Sequence, residues 1–311
     1  MQNFLMYQKM KLNNGLNSLL IDKCYRYKNQ EKWERVMNLK FSVLMSVYKN
    51  EKVDNFELAV KSVIEQTNMP DEIIIVRDGM VPTALQSSID NLIKKYPKSI
   101  TYIPLNENTG LGNALNIGIQ SAKYDLIARM DTDDICVPNR FELQLKAFQK
   151  DPELDMVGGQ VTEFSGEVEN IVGQKKVPCS YDEISSFLKF RNAFNHPTVM
   201  YKKTAVLKAG NYLELRFVED YYLWCRMFLN GAKMINLPET LVRMRVGLDM
   251  YQRRGGYAYY MTLKKLEKFK REQGMITPFC YYTNVWIRFM QCVILPNRIR
   301  GWMYRHLLRE Q

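Results

Sequence analysis

Between residues 41 and 130 the chain alternates apolar runs of strand length with amphipathic stretches, and this cadence constrains the fold more than any other feature. Residues 41–47 are a mostly apolar run. Residues 56–66 carry Phe56, Ala59, Val60, Val63 and Ile64 at helical spacing, behind a possible Asp54-x-x-Glu57 capping box. Residues 73–76 read as a buried strand, 83–96 as a helix, 100–104 as a strand, 111–122 as a helix and 125–130 as a strand. Strand and helix in strict alternation require crossover connections, and therefore a largely parallel sheet. Beyond 131 the pattern loosens into a helix over 138–149, a strand over 156–164 carrying Gly158 and Gly159, a helix over 181–190, a short strand over 198–201 and a helix over 222–229. The expected fold is α/β, a mixed sheet flanked by helices.

Ligands of open parallel sheets bind outside the carboxyl ends of the strands. This sequence places Asp78 directly after one such strand, and Asp131, Asp133 and Asp134 directly after another. Three carboxylates within four residues repel one another unless they are solvated or share a cation, and hard oxygen ligands suit Mg²⁺ or Mn²⁺. A solvated turn capping the next helix is the competing reading; the position after a buried strand favours the metal. The segment 108–112 opens a helix and would turn backbone N–H groups, that of Gly110 among them, toward a phosphate, although an ordinary helix start looks the same. Glu219 and Asp220 precede the helix at 222. There they serve the helix dipole, or, with burial to raise its pKa, Asp220 serves as a general base. His196 and Arg129 read as structural and stay outside the catalytic set.

Charge is uneven along the chain. Of a net +11, residues 1–40 hold 8 basic against 3 acidic side chains and residues 248–311 hold 12 against 4, leaving the middle close to neutral. A neutral body with cationic ends argues against a surface coated by nucleic acid. The six cysteines show no paired spacing, which argues against a zinc site or a disulfide framework and for a reducing compartment. No run reaches the ~18 apolar residues of a membrane span, and residues 1–40 hold no secretory apolar core. In the tail, Trp286, Phe289, Met290, Val293 and Ile294 recur at helical spacing, and Trp302, Tyr304, Leu307 and Leu308 stand among Arg298, Arg300, Arg305 and Arg309. Such a tail packs on the domain as a helical pair or lies on anionic lipid as an interfacial helix; the second is the expectation.

Taken in order, the runs at 41–50, 65–67, 71–79 (Asp-Glu-Ile-Ile-Ile-Val-Arg-Asp-Gly), 108–116 (Asn-Thr-Gly-Leu-Gly-Asn-Ala-Leu-Asn), 127–134 (Ile-Ala-Arg-Met-Asp-Thr-Asp-Asp), 195–200 and 218–224 resemble the family 2 glycosyltransferases of the GT-A fold. The likeness is greatest to the amylovoran-type exopolysaccharide and capsule enzymes. The resemblance implies a domain over 41–247, with a nucleotide-binding half at 41–134 and an acceptor half at 135–247, between a basic arm at 1–40 and a helical membrane-surface tail at 248–311. It implies inverting transfer from a UDP-sugar to a saccharide acceptor carried on a polyprenyl lipid, in the cytoplasm at the inner face of the cell membrane. Ser46 and Tyr48 would help form the nucleotide pocket and Asp78 would hydrogen-bond the uracil. Asp131 and Asp133 match the family's DxD, with Asp134 close by, and Asp220 matches its catalytic base. Arg77 stands where many members carry a second acid. A sugar-phosphate nucleotidyltransferase is the enzymatic alternative, but residues 46–50 (Ser-Val-Tyr-Lys-Asn) lack its glycine-rich phosphate loop; a non-catalytic membrane-associated scaffold is the other.

Overall fold

The first strand, β1 (Phe41–Val47), buries every side chain but Ser46, as a strand covered on both faces must. In the computed structural model, which describes residues 39–247 and 255–296, β1 lies between β2 (Glu72–Arg77) and β4 (Leu126–Met130), with β3 (Ile100–Pro104) outside β2, all parallel. The crossovers are α1 (Val53–Ile64), α2 (Thr83–Lys95) and α3 (Leu111–Ser121). Each lays an apolar stripe on the sheet: Phe56, Ala59, Val60 and Val63 from α1, and Ala114, Leu115 and Ile119 from α3. Each fully buried Val, Leu, Ile or Phe among them contributes ~1.5–3 kcal/mol, and each alanine methyl roughly 1 kcal/mol or less. Helix α3 reaches the sheet because residue 118 is glycine; a Cβ there would stand 2.3 Å from Leu44 Cδ1.

The parallel order ends at β4. Its other neighbour, β8 (Met200–Lys202), is antiparallel, and the sheet continues through β6 (Met156–Phe164) and β9 (Met234–Arg245) to β5 (Ile135–Cys136), with β7 (Ile171–Lys175) on β6. The other helices are α4 (Arg140–Lys150), α5 (Tyr181–Leu188), α6 (Lys203–Lys208) and α7 (Glu219–Leu229). Two expectations about helix starts need correction. The Asp54/Glu57 capping box does not form: α1 starts at Val53 behind an uncapped Lys52, and Glu57 instead accepts the Ser88 hydroxyl at 2.7 Å. A true capping box stands at Ser180 and Glu183. Helix α7 begins at Glu219, so the acidic pair occupies its first turn instead of preceding it. Strand β9 has no sequence counterpart, because Pro238 and Glu239 interrupt its pattern and its register with β6 shifts twice.

Helices α8 (Tyr257–Glu272) and α9 (Pro278–Phe289), continued by one π turn over Met290–Ile294, pack on the same body: Leu263, Leu266 and Cys292 share the hydrophobic cluster of Leu223 and Trp224. Within α8, Lys270 Nζ and Glu267 form a buried ion pair at 2.8 Å whose remaining bonds reach beyond the helix. Lys270 also donates to the Lys189 carbonyl at 2.9 Å and the Tyr221 hydroxyl at 3.1 Å, and Asn284 donates to both Glu267 and Lys189. These bonds help the buried pair to be tolerated, although Glu267 Oε1 accepts no hydrogen bond beyond its ion pair, and losing either partner would leave a bare charge. No described helix is long and apolar enough to cross a membrane. Residues 1–38 of the basic arm and the tail residues beyond 296, from Arg298 to Arg309, lie outside the described residues.

Candidate active site

Parallel pairing brings the carboxyl ends of β1, β2 and β4 to one rim, Val47 opposite Arg77 and Met45 opposite Met130. Ser46, Asp78 and Asp131 follow from that register. Gly79, in the left-handed region at φ +82°, turns the chain after β2, and a Cβ there would lie 2.7 Å from the Asn108 nitrogen. This close approach lets Asp78, itself buried, act as a staple. Its Oδ1 accepts from the Thr109 backbone N–H (2.7 Å) and hydroxyl (3.1 Å), and its Oδ2 from the Gly110 N–H and the Asn108 side chain (both 3.0 Å). The Gly110 N–H, expected to face a phosphate, is therefore spent on Asp78. A uracil contact by Asp78 would have to displace one of these four bonds. Asp78→Ala would leave two backbone N–H groups unpaired and lower stability by ~2–4 kcal/mol, read as a fall in urea midpoint at constant m; an unchanged midpoint would show that the segment holds itself.

The stapled segment forms one wall of a cavity of about 810 Å³, whose other walls carry Arg129, Asp131, His196, Glu219 and Asp220. Asp131 and Asp220, 89 residues apart in the chain, thus open onto one space. Asp133 and Asp134 stand outside the lining, but carboxylate oxygens of Asp131, Asp133 and Asp134 lie within 4.8 Å of one another. Burial, then the charges of Asp131 and Glu51, pushes Asp133 up to about 7. Asp134 is pushed well above the usual range by burial and then by Asp131 and Asp133. Its Oδ1 accepts from the Arg245 N–H at 2.8 Å while its Oδ2 is buried without a hydrogen-bond partner. Hard oxygens that converge, repel and leave one acceptor orphaned fit a divalent cation.

Sequence reasoning set Arg129 aside. It is buried and grips both oxygens of Asp131 with its two terminal nitrogens. Burial alone would lower its pKa, but Asp131 holds it above the usual value, so the cation is permanent. Its alternation pattern, an arginine inside a buried strand, was the available signal. His196 is held neutral by burial and by Arg129, and its Nε2 pairs with the Tyr212 hydroxyl at 2.8 Å. Ser46 and Tyr48 lie at the strand-end rim outside the cavity lining; the Ser46 carbonyl receives the Thr132 hydroxyl at 3.4 Å.

Asp220 sits in the first turn of α7, half-buried. Burial raises its pKa, an effect opposed by the N–H of Tyr221 and by Asn192, which donates to Oδ2 at 2.7 Å. Asn192 is a second residue the sequence gave no reason to select. It lies just beyond Lys189, where the Lys270 and Asn284 bonds tether the α8–α9 pair, so the tail helices brace the segment that orients Asp220. Glu219 is raised by burial and by Asp220, and it lies against Gly112, where a Cβ would come within 3.1 Å of its Cγ.

The model of the family described as "Glycosyl transferase family 2" matches residues 42–210. This chain belongs to glycosyl transferase family 2. It is 36% identical over 267 residues to the amylovoran biosynthesis glycosyltransferase AmsE of Erwinia amylovora, covering 85% of this chain and 97% of that one. It is 35% identical to an Escherichia coli enzyme described as UDP-Gal:alpha-D-GlcNAc-diphosphoundecaprenol beta-1,3-galactosyltransferase, covering 87% and 97%. Among solved structures it resembles the mannosyltransferase PcManGT of Pyrobaculum calidifontis, in complex with GDP-Man and Mn²⁺, with TM-score 0.58 and 16% identity over 89% of this chain and 79% of that one. That likeness speaks for the fold alone, which is GT-A. Family 2 membership makes the chain a glycosyltransferase, not the nucleotidyltransferase weighed from the sequence.

Proposed function

We propose that the chain is an inverting, metal-dependent enzyme that moves a hexosyl or N-acetylhexosaminyl group from a UDP-sugar to a saccharide acceptor on a polyprenyl lipid, in exopolysaccharide or capsule assembly at the inner face of the cell membrane. The observation that carries this reading is the opening of Asp131 and Asp220 onto one cavity, with Asp133 and Asp134 behind the first. Asp131, Asp133 and Asp134 would hold Mn²⁺ or Mg²⁺. When bound, that ion supplies positive charge for the departing diphosphate. Arg129 fixes Asp131 and partly offsets the charge of the acidic group. Ser46 and Tyr48 at the end of β1, Asp78 and the segment it staples form the nucleotide side. Asp220, oriented by Asn192, takes the proton of the acceptor hydroxyl while that oxygen bonds to the anomeric carbon and the bond to diphosphate breaks on the opposite face, which inverts the centre. The printed names of the Erwinia and E. coli relatives support the polysaccharide setting, the UDP donor and the lipid-linked acceptor.

The test is a panel of UDP-sugars scored for thermal stabilisation with and without Mn²⁺, followed by transfer to lipid-diphosphate-linked sugars. Stabilisation by UDP and by one UDP-sugar, dependent on the ion, is the expected outcome; indifference to every nucleotide would favour a scaffold.

The membrane part of the reading rests on α9, where Phe279, Tyr282 and Trp286 follow one another at helical spacing and are 82%, 62% and 63% exposed. Aromatic side chains in that arrangement sit at headgroup level. Changing all three to serine should cut co-sedimentation with anionic phospholipid vesicles by at least about tenfold, given what each buried side chain contributes. Undiminished binding would reject the interfacial role of α9.

A further inference from the structure

Helix α5 ends at Leu188, and the last carbonyls of a helix have no partner within it. Here three successive carbonyls are taken by side chains from elsewhere in the chain. That of Leu188 accepts the Tyr221 hydroxyl, that of Lys189 accepts both Lys270 Nζ and the Asn284 amide at 2.9 Å, and that of Phe190 accepts Arg288. Lys270 comes from α8, and Asn284 and Arg288 come from α9. The remaining donor, Tyr221, is the residue after Asp220, and its hydroxyl itself accepts from Lys270 at 3.1 Å. Two residues beyond Phe190 stands Asn192, whose amide donates to Asp220 Oδ2 at 2.7 Å and whose oxygen accepts the Phe194 N–H at 3.1 Å. Phe194 is buried, its ring edge to face with Trp224 at 6.0 Å. The core thus holds Asn192 from one side along the chain and the tail helices hold it from the other.

The tail donors are themselves fixed. Glu267 pairs with Lys270 at 2.8 Å and accepts from Asn284 at 2.9 Å, and all three side chains are buried. Apolar contacts through Leu263 and Leu266 already dock α8 on the body. A buried ion pair adds little to such docking, because desolvation takes back most of what its attraction supplies. What the polar group adds is direction, since hydrogen bonds fix where the carbonyls of 188–190 point and apolar packing does not. We infer, on the reading of Asp220 as the base, that Lys270 and Asn284 are positioning residues for transfer: they set the path of 188–190 and, through Asn192, the orientation of the Asp220 carboxylate. Neither lines the cavity. The tail helices therefore belong to the catalytic apparatus, whatever surface their outer face rests on.

A double-mutant cycle on the full chain tests this, with the UDP-sugar that the panel selects and a water-soluble, short-chain acceptor, so that membrane binding plays no part. Asn192→Ala should lower kcat by ~10- to 100-fold, as for a misplaced catalytic group. Asn284→Ala should lower it by ~2- to 30-fold, with donor KM and UDP affinity within about twofold of wild type, which also reports a folded protein. Because Asn284 acts through Asn192, the double variant should fall no further than Asn192→Ala alone. Glu267→Gln/Lys270→Met, which removes both charges together and leaves no bare ion, should lower kcat as Asn284→Ala does. Additive losses in the cycle would overturn the coupling, as would wild-type kcat in both tail variants, or a loss that falls on KM and UDP affinity instead of kcat. Asp220→Asn runs beside them. Full activity there removes the base and this role with it, whereas an inactive Asp220→Asn beside tail variants at wild-type kcat removes the positioning role alone. Amide hydrogen exchange gives a reading that needs no turnover: residues 189–194 should exchange faster in Asn284→Ala, and unchanged protection would overturn the clamp.

Discussion

Asp220→Asn is expected to leave a folded protein that binds UDP and Mn²⁺ within about twofold of wild type while kcat falls by ~100- to 10,000-fold, the range for losing a positioned general base. An acceptor hydroxyl is a poor nucleophile until its proton is taken as it attacks. Among the described acids of the cavity, Asp220 combines a pKa raised by burial with a side-chain donor on one oxygen, Asn192 at 2.7 Å. The pH dependence follows from the direction of that shift. The base works ionised, and burial has raised its pKa, so activity is retained above that pKa and lost as pH falls through it, at a higher pH than an ordinary aspartate would give. Steady-state kinetics across pH would check both points. A kcat near wild type would remove Asp220 from the chemistry.

Asp133→Asn is expected to act elsewhere. It removes one oxygen ligand and one charge from a cluster whose carboxylates lie within 4.8 Å of each other. Mn²⁺ affinity, and with it Mn²⁺-dependent UDP binding, should fall, and transfer should drop by ~100-fold or more at a fixed ion concentration. In the wild type the same site should show linked protons. Burial and the neighbouring acids push Asp133 up to about 7, and a cation binds the ionised form. Affinity is therefore full above that pH and weakens by up to about tenfold per unit below it. Calorimetry of Mn²⁺ binding between pH 6 and 8 reads this directly; a flat profile would mean that Asp133 is ionised without help from the ion.

The parallel half of the sheet was legible because β1, β2 and β4 bury both faces and α1 and α3 keep unbroken apolar stripes. The antiparallel half was not: β9 owes its path to pairing with β6 across Gly158 and Gly159, which is long-range information that Pro238 masks locally. Acids at strand ends announced the site, since topology alone carries them to one rim. Their partners did not announce themselves. Arg129, Asn192 and Arg245 act through contacts that depend on the folded geometry, and Asp78 turned out to spend its acceptors on the segment beside it. The tail could be read two ways because its helices do two things. Leu263 and Leu266 join the core, whereas Phe279 and Trp286 face outward.

The claim beneath all of this is that two groups of acids serve one cavity in different roles, one through a cation and the other through a proton. Single-turnover transfer from the UDP-sugar that the panel selects, followed over a Mn²⁺ titration in wild type, Asp133→Asn and Asp220→Asn, separates them. Excess Mn²⁺ should recover a substantial part of the Asp133→Asn rate and none of the Asp220→Asn rate. Equal recovery of both variants, or equal indifference in both, would contradict the division of labour.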